Sequence, residues 1–431
     1  MEKTRTEILP GVWLNHIQSE KFKTALMSVS LLTQLNRENA TMNALIPFVL
    51  RRGCRSYPDM EKISARLDEL YGAAIEPLIK RIGEIQLIGF ISSFPEDKYV
   101  PAKESILEGV CSLMSELLLT PVTRGGLFLP SYVDSEKDKL ADIIRGVIND
   151  KRSYALKRCV EEMCCFEDYA AGKLGCADDC SNIRHDKLTK HYHTVLQSSP
   201  IEIFYCGQAS CSAVVSVLRD ALCTMPRGEI DYDIGTEVRM NSVEDTPRYY
   251  EEKLDVGQGK LVLGFRLGEC MEDPDRAAIQ VFNAVYGSGV TSKLFMNVRE
   301  KLSLCYYASS SVDTRKGILL VSSGIDFDKY DAAKAEILRQ LDEVKCGNIT
   351  DDELSFAKMN LISDCRAMLD SPDELESFTI GRAVDGDDTT PEEHAELINA
   401  VSKQDVIEIA NSIELDLVYF LKGEDETDDN D

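Results

Sequence analysis

Residues 286–310 read YGSGVTSKLFMNVREKLSLCYYASS. Gly287 and Gly289 allow the backbone a tight turn ahead of a helix. Leu294, Phe295 and Val298 give that helix an apolar face, and a strand is expected from Leu304. Arg299 falls in the last helical turns and Tyr306 follows at the start of the strand. The spacing can bring a guanidinium and a phenol to one junction beside a shared cleft. Side chains alternate along a strand, so only one of Tyr306 and Tyr307 can face that cleft.

Outward from this stretch, the chain reads as two rounds of one pattern. A strand over 22–35 (FKTALMSVSLLTQL) leads to a helix over about 42–52 that ends at Gly53. A second helix follows from Tyr57, then a hairpin over 72–93 and a helix over 102–119. A Pro- and Gly-containing loop (121–131), a long charged helix from near Ser135 and a buried-looking strand at 201–207 complete the round. In the second half, KLVLGFRL at 260–267 answers the first strand, and 273–287 answers the helix before Gly53. GILLVSSGID with the helix over 329–347 answers the hairpin's second strand and the helix over 102–119. The helix from Asp351 and LDLVYFLKG at 415–423 close the repeat. The expected architecture is α+β: two homologous domains, 1–215 and 248–422, each a mixed sheet with helices packed on it. Pro226, Gly228, Gly235 and Pro247 mark 216–247 as a linker. The tail at 423–431, with six acidic residues, is expected to be disordered.

The 431 residues are 44% hydrophobic and 28% charged, as in a globular protein of more than one domain. A net charge of −26 argues against a nucleic-acid or anionic-membrane partner. The N-terminus has no apolar secretion segment, and the apolar run ALIPFVL at 44–50 is far too short to span a bilayer. Fourteen cysteines without such a segment point to reduced thiols in a cytoplasm.

The run F-x-x-V-R-E-K-x-x-L-x-Y, from Phe295 to Tyr306, resembles the C-terminal-domain signature of the M16 (pitrilysin/insulinase-like) metallopeptidases. The resemblance extends over nearly the whole chain and is strongest at 281–310 and 43–75. It implies two similar domains facing each other as half a clamshell, closest to the non-catalytic M16-like proteins of Gram-positive bacteria. It also implies that Arg299 and Tyr306 grip a peptide backbone and help polarise its scissile carbonyl.

Active members carry H-x-x-E-H on the first helix, with two zinc-binding histidines, a water-activating glutamate and a more distal glutamate ligand. Here the flanks match, but Ala44, Pro47 and Phe48 stand at the His, Glu and His positions, and Ile143 near the distal Glu. None can bind zinc or take a proton. The five histidines (His16, His185, His191, His193, His394) form no such motif anywhere. The resemblance therefore implies a chain inactive alone and without a cofactor of its own. It would be the substrate-binding subunit of a heterodimer whose H-x-x-E-H-bearing M16 partner holds the zinc and hydrolyses a peptide substrate. A rival is a catalytically inert peptide-binding or scaffold protein of the same fold. An enzyme using another nucleophile is the third reading.

Cys164, Cys165, Cys176, Cys180 and His185 fall within 22 residues, but zinc sites favour paired short spacings and only one such pair exists. Buried reduced thiols are the expectation. His191-Tyr-His193, ahead of a strand-like segment, reads as a surface turn. A Cys/His nucleophilic pair cannot be read from spacing, because its members meet in space. No phosphate-binding loop is present, and Gly287-Ser-Gly289 lacks the third glycine and downstream acid of a dinucleotide site.

Overall fold

Two sheets organise the chain, and each is covered on both faces. A computed structural model describes residues 3–101, 104–272 and 274–423; most of the acidic tail, 424–431, lies outside them. The first compact unit comprises residues up to Arg145 together with Ala171–Gly235 and Met368–Thr389. Its strands are β1 (Lys3–Leu9), β2 (Val12–Gln18), β3 (Thr24–Gln34), β4 (Ala74–Ile82), β5 (Ile85–Pro95) and β8 (Ile201–Gly207), with a two-residue hairpin of β6 (Thr123–Arg124) and β7 (Leu127–Phe128) apart. The main sheet runs β1-β2-β8-β3-β5-β4, with β2 and β8 parallel and the rest antiparallel.

Ala25 to Leu32 in β3 are all buried. Ala25, Met27, Val29 and Leu31 pack with the helices Ala40–Leu50 and Ile106–Leu119. Leu26 and Leu32 pack with Leu375 and Ile380 of the helix Pro372–Val384. Burial on both faces removes the apolar–polar alternation of a one-sided sheet, so β3 reads as a nearly continuous apolar run.

The second unit comprises Gly146–Ala170, Thr236–Ala367 and the residues from Thr390 onward. Its strands are β9 (Arg248–Lys253), β10 (Gly259–Arg266), β11 (Tyr307–Asp313), β12 (Ile318–Ile325) and β13 (Glu414–Lys422), in the order β11-β12-β10-β13-β9. Leaving β1 aside, this is the order β4-β5-β3-β8-β2 of the first sheet, and β9 pairs parallel to β13 as β2 does to β8. The repeat read from the sequence is thus present at the level of topology. Leu261, Leu263 and Phe265 face a core with the helices Arg276–Tyr286 and Tyr330–Lys345. The other face packs on Ala155, Cys159 and Met163 of the helix Lys151–Met163. That helix comes so close that a Cβ at Gly264 would sit 2.6 Å from Met163 Sδ.

Each sheet is therefore covered on one face by a helix drawn from the other half of the sequence. The segments are fastened by buried charge. In the first unit the fully buried Glu376 accepts from Ser28 Oγ at 2.8 Å and pairs with Lys80. In the second, Arg266 is fully buried and bonds Glu167 at 2.6 Å and Asp416 at 2.9 Å. Lys316 reaches the same Glu167 at 2.6 Å, and Arg248 reaches Asp416 at 2.8 Å.

Several local expectations change. The strand expected from Leu304 begins at Tyr307, because the preceding helix unwinds through Leu302–Cys305. The charged helix expected near Ser135 begins at Pro130, a residue suited to a first helical turn. Residues 216–222, in the segment read as a linker, complete a helix Cys211–Leu222 capped by Ser210. No helix among the described residues is long and apolar enough to cross a membrane.

Replacing Arg266 by Met would leave Glu167 and Asp416 buried with less compensating charge. Urea unfolding should show a loss of about 3–5 kcal/mol; a loss below about 1 kcal/mol would remove the ionic cluster from its fastening role.

Candidate functional site

The helix Arg276–Tyr286 starts on the Asp275 side chain, which accepts from the Ala278 N–H, and stops at Gly287. A Cβ at Gly287 would lie 2.4 Å from Ser310 Oγ and 2.6 Å from Leu294 Cδ1, so the turn can close onto β11 only with glycine there. Residues Leu294–Lys301 then wind wider than an α-helix, with bonds reaching five residues back such as Leu302 N–H to Asn297 O at 3.1 Å. Leu294 and Val298 are both buried, while Lys293 is tied to Glu353 and Asn297 to Gln340. The end is sealed by Leu304 N–H to Val298 O at 3.0 Å, with Ser303 in the left-handed region at φ +48.

This junction presents Arg299 and Tyr306 outward. The Arg299 guanidinium lies 4.7 Å from the Phe295 ring centroid and 3.7 Å from Glu300, with its side chain 42% exposed. Burial pushes the Cys305 thiol up, and the nearby Arg299 charge opposes that shift. Tyr306 is 60% exposed; its N–H bonds Gly324 O, and its hydroxyl donates to Asp326 Oδ1 at 3.0 Å. That bond, with the Asp326 charge, raises the phenol's pKa. Tyr307 is turned the other way, half-buried under Arg152 at 4.3 Å and bonded to Ser322 Oγ at 3.3 Å.

In the first unit, the positions that the resemblance sets against H-x-x-E-H lie on the helix Ala40–Leu50. Ala44 and Pro47 are buried, and Phe48 packs against the core from a half-buried position. Ile143 stands 48% exposed. These four side chains offer no donor, so zinc does not fit. Among the described residues, no group of three or more His, Cys, Asp or Glu side chains is placed to hold a metal. The Cys164–His185 cluster is divided: Cys164 and Cys165 fall in the second unit, Cys176, Cys180 and His185 in the first.

Beside Ala44 lies a polar network that the sequence did not reveal. Asn43 Nδ2 donates to Thr33 Oγ1 at 3.1 Å and Gln86 Oε1 at 2.9 Å, leaving its Oδ1 to accept from His191 Nε2 at 2.6 Å. Gln86 in turn donates to the carbonyls of Ala40 and Lys173. His191 and His193 are therefore not on a surface turn but on the helix His185–Ser198. The available signal was Asn43 itself, a polar residue inside an apolar helix.

Burial, aided by Lys187, lowers the pKa of His191. The unfolded chain then binds a proton more readily than the folded one. The stabilisation is complete above the unfolded value of about 6.5 and is lost as pH falls below it. Urea unfolding at pH 7.5 and 5.5 should show a smaller acid-side loss for His191→Gln than for the natural protein; equal losses would exclude His191 as a contributor.

The model of the peptidase M16 inactive domain matches residues 182–361. A Bacillus subtilis (strain 168) protein named as a probable inactive metalloprotease, YmfF, is 32% identical over 415 residues, 96% of each chain. The crystal structure of a conserved protein from Enterococcus faecalis V583 shares 28% identity at a TM-score of 0.87, covering 99% of this chain and 100% of that one. A protease from Helicobacter pylori shares the fold at a TM-score of 0.79 and 16% identity, over 98% and 99% of the two chains. With a relative of 32% identity along its length and no H-x-x-E-H in its sequence, the chain belongs to the M16 metallopeptidase family as a non-catalytic homologue.

Proposed function

We propose that this chain is the substrate-binding subunit of a heterodimeric M16 peptidase, probed by a peptide that neither subunit cleaves alone. The observation that supports this reading is the exposed Arg299 and Tyr306 at the turn into β11, in a chain without H-x-x-E-H. Zinc would belong to an H-x-x-E-H-bearing partner subunit. This chain would contribute a guanidinium whose fixed fork can donate two hydrogen bonds to backbone carbonyls. Tyr306 would add a neutral donor near the developing oxyanion. Fourteen free cysteines support a reducing, cytoplasmic setting.

One observation favours the scaffold reading. The Tyr306 hydroxyl already donates to Asp326, so engaging a substrate requires exchanging that bond.

The test is hydrolysis of a quenched peptide library by this chain alone, by a co-expressed H-x-x-E-H homologue alone, and by the pair. Activity is expected only from the pair, and Arg299→Ala should lower its kcat/KM by about 10- to 100-fold, the loss of one charge-assisted bond. A stable pair whose activity ignores Arg299→Ala would leave the chain as a scaffold.

A further inference from the structure

The first unit contains a cavity of about 470 Å³ that neither the metal positions nor Arg299 and Tyr306 explain. This lies within the range typical of small-molecule sites, roughly 300–1,000 Å³. It opens between the turn after the helix Ala40–Leu50, the end of the helix Ile106–Leu119, the loop leading into β6, and the helix His185–Ser198. Pro58, Leu119, Pro121 and Val122 supply apolar wall. The frame is fixed by backbone bonds: Arg55 N–H to Thr120 O at 3.0 Å and Val122 N–H to Gly53 O at 3.1 Å. Tyr192, also in the lining, is anchored by its hydroxyl to Leu118 O at 2.7 Å.

Cys54 and His193 both line this space, which raises the nucleophilic pairing that spacing left open. The chemistry is wrong for it. Burial, with the Glu116 carboxylate adding to it, pushes the Cys54 thiol up to about 11. A reactive cysteine needs the opposite, an electropositive setting that favours the thiolate. The cavity is built to bind.

Two side chains in the lining carry the recognition. Arg55 is exposed, and among the described residues its guanidinium has no hydrogen-bond or ion-pair partner. His193 is exposed too, with a ring contact to Tyr192 at 4.8 Å and, among the described residues, no hydrogen bond. In a chain of net charge −26, an unpaired guanidinium and an imidazole beside a partly apolar cavity favour an anion with an apolar body. One guanidinium fork suits a carboxylate, which it can engage through two parallel bonds. Apolar walls disfavour a doubly charged, strongly hydrated phosphate.

We propose that this cavity binds an apolar carboxylate through Arg55 and His193, either a peptide's C-terminal residue or a short aliphatic acid. The proposal is independent of Arg299 and of any partner subunit. The experiment is isothermal titration of the purified full chain with four probes: N-acetyl-Leu-Leu, its C-terminal amide, hexanoate and inorganic phosphate. At least one of the two carboxylates should bind at about millimolar or tighter, with the amide and phosphate at least about 10-fold weaker. Binding of the dipeptide but not hexanoate would identify a chain end as the occupant; the reverse would identify a free acid. Arg55→Gln should weaken the bound carboxylate about 10- to 100-fold at an unchanged melting temperature, and His193→Gln should also weaken it. The proposal fails if neither carboxylate binds, if the amide or phosphate binds equally well, or if Arg55→Gln has no effect.

Discussion

Arg266 is a guanidinium with no solvent, and its charge must be answered inside the protein. Glu167 and Asp416 answer it, and they come from different halves of the sequence. An isolated buried charge is so costly that the native arrangement has to bring Glu167 to the second sheet. With Glu167 comes the segment Gly146–Ala170, and with that segment the helix that covers the face of β10 bearing Val262 and Arg266. Glu376, tied to Ser28 and Lys80, holds the helix Pro372–Val384 on the first sheet in the same way. Buried ion pairs contribute little net stability, but breaking one is expensive, so such ties select one docking geometry over its competitors.

This arrangement explains what the sequence disclosed and what it hid. After the Arg266 substitution, the loss of stability would report on a helix that is remote in sequence from most of the sheet it covers. Strands such as β3, β8 and β10 were legible because burial on both faces makes them nearly continuous apolar runs. The order of elements was legible because it occurs twice. The exchanged helices were harder to place, since their burial depends on partners that periodicity does not identify. Lys151–Met163 buries only Ala155, Cys159 and Met163, a narrow stripe among charged residues. In the site, Leu294 and Val298 fit an ordinary helix as well as the wider winding observed. The difference is written in hydrogen bonds to Asn297 and Val298, which no residue pattern specifies. His191 was misplaced because the residue it bonds, Asn43, is far away in sequence and meets it only after the helices pack.

The two units share a topology but use corresponding regions differently. In the first, the helix Ala40–Leu50, on which the resemblance sets the metal positions, is part of the core. Ala44 is buried there, and Pro47 lies within the helix, where it cannot donate a backbone bond. Restoring a metal site would require donors at Ala44 and Phe48, a glutamate at Pro47 and a ligand near Ile143. It would also place two further polar groups beside the satisfied Asn43–His191–Gln86 network.

In the second unit, the winding Leu294–Lys301 and the turn after it carry conformational cost. Ser303 holds a left-handed conformation that costs an ordinary residue roughly 1–2 kcal/mol, as does Tyr71 at φ +58 after the helix Met60–Glu69 of the first unit. Core packing needs Leu294 and Val298, which an α-helix could also bury on one face. What the strained winding adds is the outward presentation of Arg299 and Tyr306. A left-handed residue follows the helix in both units, so what distinguishes the second is the wide winding of Leu294–Lys301 with Arg299 and Tyr306 exposed beside it, while the first keeps Ala44 and Pro47 in its core.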